Sequence, residues 1–323
     1  MRIALTGATG TIGRETLRVL LDRGHDVACF VRQPKSSGEK STPPLIPGAD
    51  VRRVDVHDNL SLTQDGFRGE RFDAVVSCMA SRTGAPKDAW AIDHLAHVNL
   101  LGAARAAGVT HFVQLSAICV QKPLLAFQHA KLAFEAALVG SGLRYSIVRP
   151  TAFFKSLSGQ IERVRQGKPY LMFGNGELTA CKPISDRDLA NYLADCLVDE
   201  TRWNRILPIG GPGDAITPRR QGEMLFELLR RPPLFRSAPV GLLDAVAGGL
   251  GLAGAVLPPL AAKAELARIG RYYATESMLW LNPATNRYDA AGTPSTGTDT
   301  LLDHYRAVIA GEVTTDLGDH AVF

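Results

Sequence analysis

Thr6-Gly7-Ala8-Thr9-Gly10-Thr11-Ile12-Gly13 has the spacing GxxGxxG and stands between a short apolar run, residues 2–6, and a helical pattern, residues 11–23. In that pattern Ile12, Thr16, Leu17, Leu20 and Leu21 share one face, and Gly24 follows where a helix ends in a left-handed residue. Each glycine answers a different physical need. Gly7 permits the tight turn, Gly10 lets the backbone approach a pyrophosphate, and Gly13 lets the helix pack on the strand. Thr9, Thr11 and Ile12 lie in the same turn, where unpaired N–H groups and the positive end of the helix dipole favour phosphate. The stretch predicts a strand–turn–helix unit that binds a dinucleotide.

Working outward, strand-like runs at 26–31, 51–56, 72–78, 111–116 and 144–149 alternate with helical patterns at 87–107 and 126–138. A further helix at 186–198 and a late strand at 207–210 continue the series. Such alternation specifies βαβ units with right-handed crossovers, hence an α/β fold with a doubly wound parallel Rossmann sheet. The uninterrupted apolar strands fit a sheet covered on both faces. Residues 34–47, rich in Ser, Lys, Gly and Pro, read as a surface loop. From about residue 215 the chain is Pro/Gly-punctuated, with only short helical patterns. The expected division is therefore a cofactor-binding domain over 1–214 (core 1–152) and a smaller, irregular substrate-binding region over 215–323.

The 323 residues are 46% hydrophobic and 21% charged, which excludes a disordered chain and a small disulfide scaffold. The +4 charge comes without any long basic run, so no nucleic-acid partner is expected and a small anionic ligand is. Five cysteines form no CxxC pair, which argues against structural zinc and iron–sulfur clusters. His94 and His97 are three apart on a helix without a third ligand, so they read as helix-face histidines and no metal is expected. The chain starts only a few residues before its glycine-rich turn, leaving no room for a signal peptide; a cytoplasmic protein is the expectation. Residues 245–262 carry no charge but are broken by glycines and Pro258-Pro259. They predict a buried or interfacial helix pair with weak peripheral membrane association rather than a bilayer span.

The end of the second strand decides between nicotinamide cofactors, because an acid there bonds the ribose hydroxyls and repels a 2′-phosphate. The chain has Val31-Arg32-Gln33 instead, with Arg14 directly after Gly13. Two guanidinium groups suit a dianionic phosphate, so the expected cofactor is NADPH; the alternative is a pair of ordinary surface arginines. Asp55-Val56 is placed against the adenine, and Ser77, Met79 and Ala80 along the ribose and pyrophosphate.

These features resemble the short-chain dehydrogenase/reductase superfamily in its atypical or extended branch, over about residues 1–210. Typical members pair a Ser with Tyr-x-x-x-Lys, the Tyr handling the proton on a carbonyl oxygen. Ser116 and Lys131 occupy the matching places, but the Tyr position is Phe127 in Phe127-Gln128-His129-Ala130-Lys131. A phenyl ring transfers no proton, so ordinary ketone reduction is not expected. Ala80-Ser81-Arg82-Thr83-Gly84, Gln121-Lys122-Pro123-Leu124-Leu125, the 127–131 block, Gly270-Arg271-Tyr272-Tyr273-Ala274-Thr275-Glu276-Ser277-Met278, Thr293-Pro294-Ser295 and Gly297-Thr298-Asp299-Thr300-Leu301 resemble the divinyl chlorophyllide 8-vinyl reductases.

That resemblance implies NADPH-dependent reduction of an 8-vinyl group to ethyl in chlorophyll or bacteriochlorophyll synthesis, at or near a photosynthetic membrane. It implies Lys131 on the nicotinamide ribose and at developing negative charge, with Ser116 beside it as the second catalytic residue. Pro150 and Phe153 would lie beneath the nicotinamide. Phe153, Phe154, Tyr272 and Tyr273 would flank the flat macrocycle, and Arg271 or Lys263 would hold its propionate. For these aromatics a plain core role is open, and for Arg271 an internal ion pair. Two rival readings stand: an isoflavone-reductase-like enzyme for another conjugated substrate, and a catalytically silent NADPH-binding scaffold or assembly factor. The oligomeric state is not legible.

Overall fold

The computed structural model describes residues 1–32, 47–254 and 258–313. Seven strands build one parallel sheet: β1 (Arg2–Thr6), β2 (Asp26–Val31), β3 (Asp50–Arg53), β4 (Ala74–Ser77), β5 (His111–Leu115), β6 (Arg144–Pro150) and β8 (Arg205–Ile209). Their order is β3-β2-β1-β4-β5-β6-β8, the doubly wound order of a Rossmann sheet. Side chains alternate between the two covered faces. Ile3, Leu5, Val27 and Cys29 join a core with Leu17 and Leu20 of α1 (Thr11–Asp22) and Leu189 and Leu193 of α7 (Asp186–Asp195). Ala4, Ala28 and Phe30 enter the opposite core with Leu100 of α4 (His97–Ala106) and Phe134 and Leu138 of α5 (Ala126–Val139).

The boundaries differ from the sequence reading in ways that matter for the site. The third strand stops at Arg53, so Asp55-Val56 lies in the loop beyond it, ahead of the single turn α2 (Asn59–Ser61). The helix expected over 87–107 runs as α3 (Pro86–Ala89), a π-helical stretch (Trp90–Ala96) and α4. The surface loop expected at 34–47 falls, except for Pro47, outside the described residues.

The region beyond 215 is far more helical than expected. It holds α8 (Pro218–Leu229), α9 (Gly241–Gly254), α10 (Pro258–Thr275) and α11 (Leu301–Ala310). Arginines and flanking prolines obscured an amphipathic stripe: Gln221, Gly222, Met224, Leu225 and Phe226 are the buried side of α8. Met224, Leu225 and Phe226 pack in one core with Tyr305 of α11 and Ile161 of α6 (Ile161–Arg165). Two parallel strands, β7 (Tyr170–Phe173) and β9 (Phe235–Ala238), and the hairpin β10 (Trp280–Asn282) with β11 (Arg287–Asp289) complete the fold.

Two buried histidines make this fold acid-sensitive. His97 Nδ1 bonds the Ile92 carbonyl at 2.8 Å, so it donates, and Nε2 is left to accept from Ser77 Oγ at 2.9 Å. Burial depresses both His97 and His111 from 6.5 to about 4. The unfolded chain therefore binds more protons, and stability is complete above 6.5 and lost as pH falls toward 4. At pH 5 the expected loss relative to pH 7 is about 2 kcal/mol per ring. Urea unfolding at the two pH values measures it; equal midpoints contradict it.

Candidate active site

The glycine-rich turn is built as its spacing requires. A Cβ on Gly13 would stand 2.0 Å from the Gly7 carbonyl oxygen, and one on Gly7, where φ is +76°, would meet the Cys78 backbone at 2.5 Å. A Cβ on Gly10 would touch only Gly7 O, at 3.4 Å. Two glycines are thus consumed by close backbone packing, and the third leaves an open face at the start of α1. Thr9, Gly10, Thr11 and Arg14 are exposed there, whereas Ile12 is buried in the core. Arg14 curls back so that its Nε donates to the Thr9 carbonyl at 3.1 Å. Arg32 is exposed just past β2, on the same carboxyl edge of the sheet.

Lys131 is the centre of a second cluster. Its Nζ donates to Asp93 Oδ1 at 2.9 Å, with the two side chains 8% and 0% exposed. Asp93 comes from the π-helical stretch, and it also accepts from the Ser81 backbone N–H at 3.3 Å. Burial alone would raise the Asp93 carboxyl; the Lys131 ammonium and the Ser81 bond outweigh it and hold the group below its ordinary range. Its Oδ2 is buried and has no partner among the described residues. Sequence reading missed Asp93, since nothing local marks an aspartate 38 residues away as the partner of Lys131.

Ser116, at the end of β5, is placed beside the same helix but is committed elsewhere. Its Oγ donates to Glu135 Oε1 at 2.5 Å, and Glu135 is paired with Arg149. Facing a carboxylate fixed by an arginine, Ser116 keeps lone pairs rather than its proton for a ligand. Phe127 sits one turn before Lys131, half-buried, with Ile269 of α10 beside it across Gly84. Around it Ile118, Cys119, Leu125, Ile269, Tyr272 and Met278 form an apolar cluster joining α10 to the edge of the sheet.

Several expected ligand contacts are corrected. Ser77 is fully buried, and its Oγ accepts from Thr6 Oγ1 at 2.9 Å while donating to His97, so the hydroxyl is spent inside the sheet. Phe154 is 4% exposed and packed with Tyr305 and Leu301, because the 3-10 turn after β6 swings it into the core. Tyr272 is 3% exposed and its hydroxyl donates to the Cys119 and Lys122 carbonyls. Tyr273, one residue on, stacks edge-to-face on Tyr272 and turns its hydroxyl toward the Cys119 side chain, yet the residue keeps 41% exposure. Arg271 is ion-paired with Asp244, the internal role foreseen as its alternative. Pro150 is buried at the end of β6, and Phe153 is half-buried with its backbone bridged to Ile184. Met79 and Ala80 stay accessible beyond β4, and Asp55 turns its Oδ1 to the His57 N–H at 2.9 Å. His97 is a satisfied core histidine, and among the described residues no group of three or more His, Cys, Asp or Glu is placed to hold a metal.

An open Gly10 face and an orphaned, buried acceptor beside a buried ammonium are what a phosphate-bridged ligand with a ribose diol requires, so the residues fit a nicotinamide dinucleotide. The fold and site define a Rossmann-type NAD(P)H-binding protein, and a family profile described as NAD(P)H-binding matches residues 7–200. A quinone oxidoreductase of Escherichia coli, solved with NADPH, superposes with TM-score 0.63 at 19% identity over 95% of this chain and 99% of that one. Over the full length the likeness is narrower in kind. The chloroplastic divinyl chlorophyllide a 8-vinyl-reductase of Cucumis sativus is 49% identical over 99% of this chain and 79% of its own length. That of Oryza sativa subsp. indica is 48% identical over 99% of this chain and 82% of its own. The chain belongs to the divinyl chlorophyllide a 8-vinyl-reductase family.

Proposed function

We infer that this chain reduces the 8-vinyl group of a divinyl chlorophyllide to ethyl with NADPH, in the cofactor groove of residues 1–214, and that residues 215–323 supply most of the pigment site. The observation that carries the reading is the pairing of a retained, buried Lys131–Asp93 with a phenyl ring at Phe127. Such a site can orient a nicotinamide ribose, yet it has no phenol at the usual place, four residues before Lys131, to protonate a carbonyl oxygen. When bound, the reduced nicotinamide would supply the hydride for the outer vinyl carbon, and a proton drawn from solvent would complete the inner carbon. Lys131 holds the ribose hydroxyls by donation and keeps a fixed positive charge beside the reacting centre, where negative charge develops over the macrocycle. Asp93 fixes the direction of that ammonium and offers Oδ2 to a hydroxyl. Ser116, its proton directed to Glu135, serves as an acceptor. Tyr273, part-exposed beside the apolar cluster beneath α10, and the half-buried Phe153 at the edge of the sheet core are the aromatics left to support a flat pigment.

Mixing the protein with NADPH and divinyl chlorophyllide and following the Soret band tests the reading, and absence of turnover supports the scaffold alternative instead. NADPH preference rests on Arg14 and Arg32 and on the absence of an acid after β2. Losing one charge-assisted phosphate contact costs about 1.5–3 kcal/mol. Arg32→Ala is therefore expected to raise the Michaelis constant for NADPH at least about 10-fold and to leave NADH use nearly unchanged. Equal losses with both cofactors contradict the assignment.

Among the described residues no helix is long and apolar enough to cross a membrane. The exposed Leu242, Val246 and Leu266 on α9 and α10 support weak interfacial association with the photosynthetic membrane. Sedimentation with anionic liposomes should pull down part of the protein; recovery entirely in the supernatant counts against it.

A further inference from the structure

The amino end of α1 is overlooked by a cation that the dinucleotide reading does not use. Lys155 opens the 3-10 turn that follows β6, and its Nζ donates to Thr11 Oγ1 at 3.1 Å although the two residues are 144 apart in sequence. Thr11 is the first residue of α1 and adjoins the open face of Gly10. Asp186, the first residue of α7, is near enough for the Lys155 charge to act on it, and its Oδ1 is buried without a partner among the described residues. Burial pushes the Asp186 carboxyl up to about 6, with the Lys155 charge drawing it back down and Glu15 adding to the rise.

Toward the helix end, the placement of Lys155 is unfavourable on its own. The amino end of a helix carries a partial positive charge, and an ammonium placed there is repelled. An ammonium also has three donors, and among the described residues Lys155 commits one, to a neutral hydroxyl, with no carboxylate in contact. Both facts resolve if an anion lies between the cation and the helix end. We propose that Lys155 is a diphosphate-binding residue of this chain, placed by Thr11 over the amino end of α1 and recognising the bridging phosphates irrespective of any 2′-phosphate. The proposal rests on the dinucleotide reading above and adds a residue that neither the glycine turn nor the arginine pair accounts for.

Two probes separate the phosphate sites without any pigment. ADP-ribose carries the diphosphate and no 2′-phosphate, and 2′-AMP carries the reverse. In calorimetric titrations of the full chain, Lys155→Met should weaken ADP-ribose about 10-fold and leave 2′-AMP unchanged, with an unaltered melting temperature. Lys155→Arg should retain most of the ADP-ribose affinity, and Arg32→Ala should show the opposite selectivity. Wild-type ADP-ribose affinity in Lys155→Met, or equal loss of both probes, overturns the proposal. A wild-type chain that binds neither probe overturns the dinucleotide reading, and this proposal with it.

Discussion

Lys131→Met is expected to cut turnover by about two to three orders of magnitude, the scale on which loss of one preorganised electrostatic group is felt. It is also expected to weaken the fold by about 3–5 kcal/mol, because Asp93 would be left buried and uncompensated. The two effects are separable. Replacing both members in Lys131→Met/Asp93→Leu removes the orphaned charge, so stability should return toward wild type, as it does when buried ion pairs are exchanged for apolar groups. Turnover should stay low. Urea unfolding and single-turnover NADPH oxidation measure the two quantities on the same preparations. A double variant that folds and turns over like wild type refutes the role of Lys131, and a single variant of unchanged stability refutes the coupling to Asp93.

Gly13→Ala is expected to abolish NADPH binding and to destabilise the chain by about 1–3 kcal/mol or more. The added methyl would stand 2.0 Å from Gly7 O, and Gly7 is itself wedged against the Cys78 and Met79 backbone, so no flexible side chain can yield. Gly10→Ala provides the contrast. Its methyl meets ordinary space in the unliganded chain, so the melting temperature should hardly change, yet the methyl would stand on the face proposed for the diphosphate. Thermal melts with and without NADPH discriminate the outcomes. At 100 times its dissociation constant a ligand adds about 2.7 kcal/mol of stability. Both variants should lose this increment, and only Gly13→Ala should lose intrinsic stability. A full NADPH-induced increment in either variant contradicts the placement of the phosphates.

The chemistry of the turn was legible because each requirement is local. Positive φ at Gly7, close packing at Gly13 and the apolar period of β1 and β2 all follow from sterics within a few residues. The missing phenol at Phe127 is equally local, since its place is set by four residues of helix before Lys131. The region past 215 was read as irregular because prolines bound α8 and arginines dilute its stripe. Its helicity comes from what Met224, Leu225 and Phe226 pack against, and that partner, Tyr305, lies far along the chain.

By itself the sequence determined a Rossmann sheet, a glycine-rich turn, a lysine without its usual tyrosine and a family. Tertiary structure decided which charges meet: Asp93 on Lys131, Arg149 and Glu135 on Ser116, Thr11 on Lys155. It also decided that Phe154 and Tyr272 are interior while Tyr273 remains accessible. The reason is physical. Backbone conformation and amphipathic period are short-range, set by neighbours on the same turn or strand. The partner of a buried charge is set by where separate elements cross, and desolvation then enforces that pairing across the whole length of the chain.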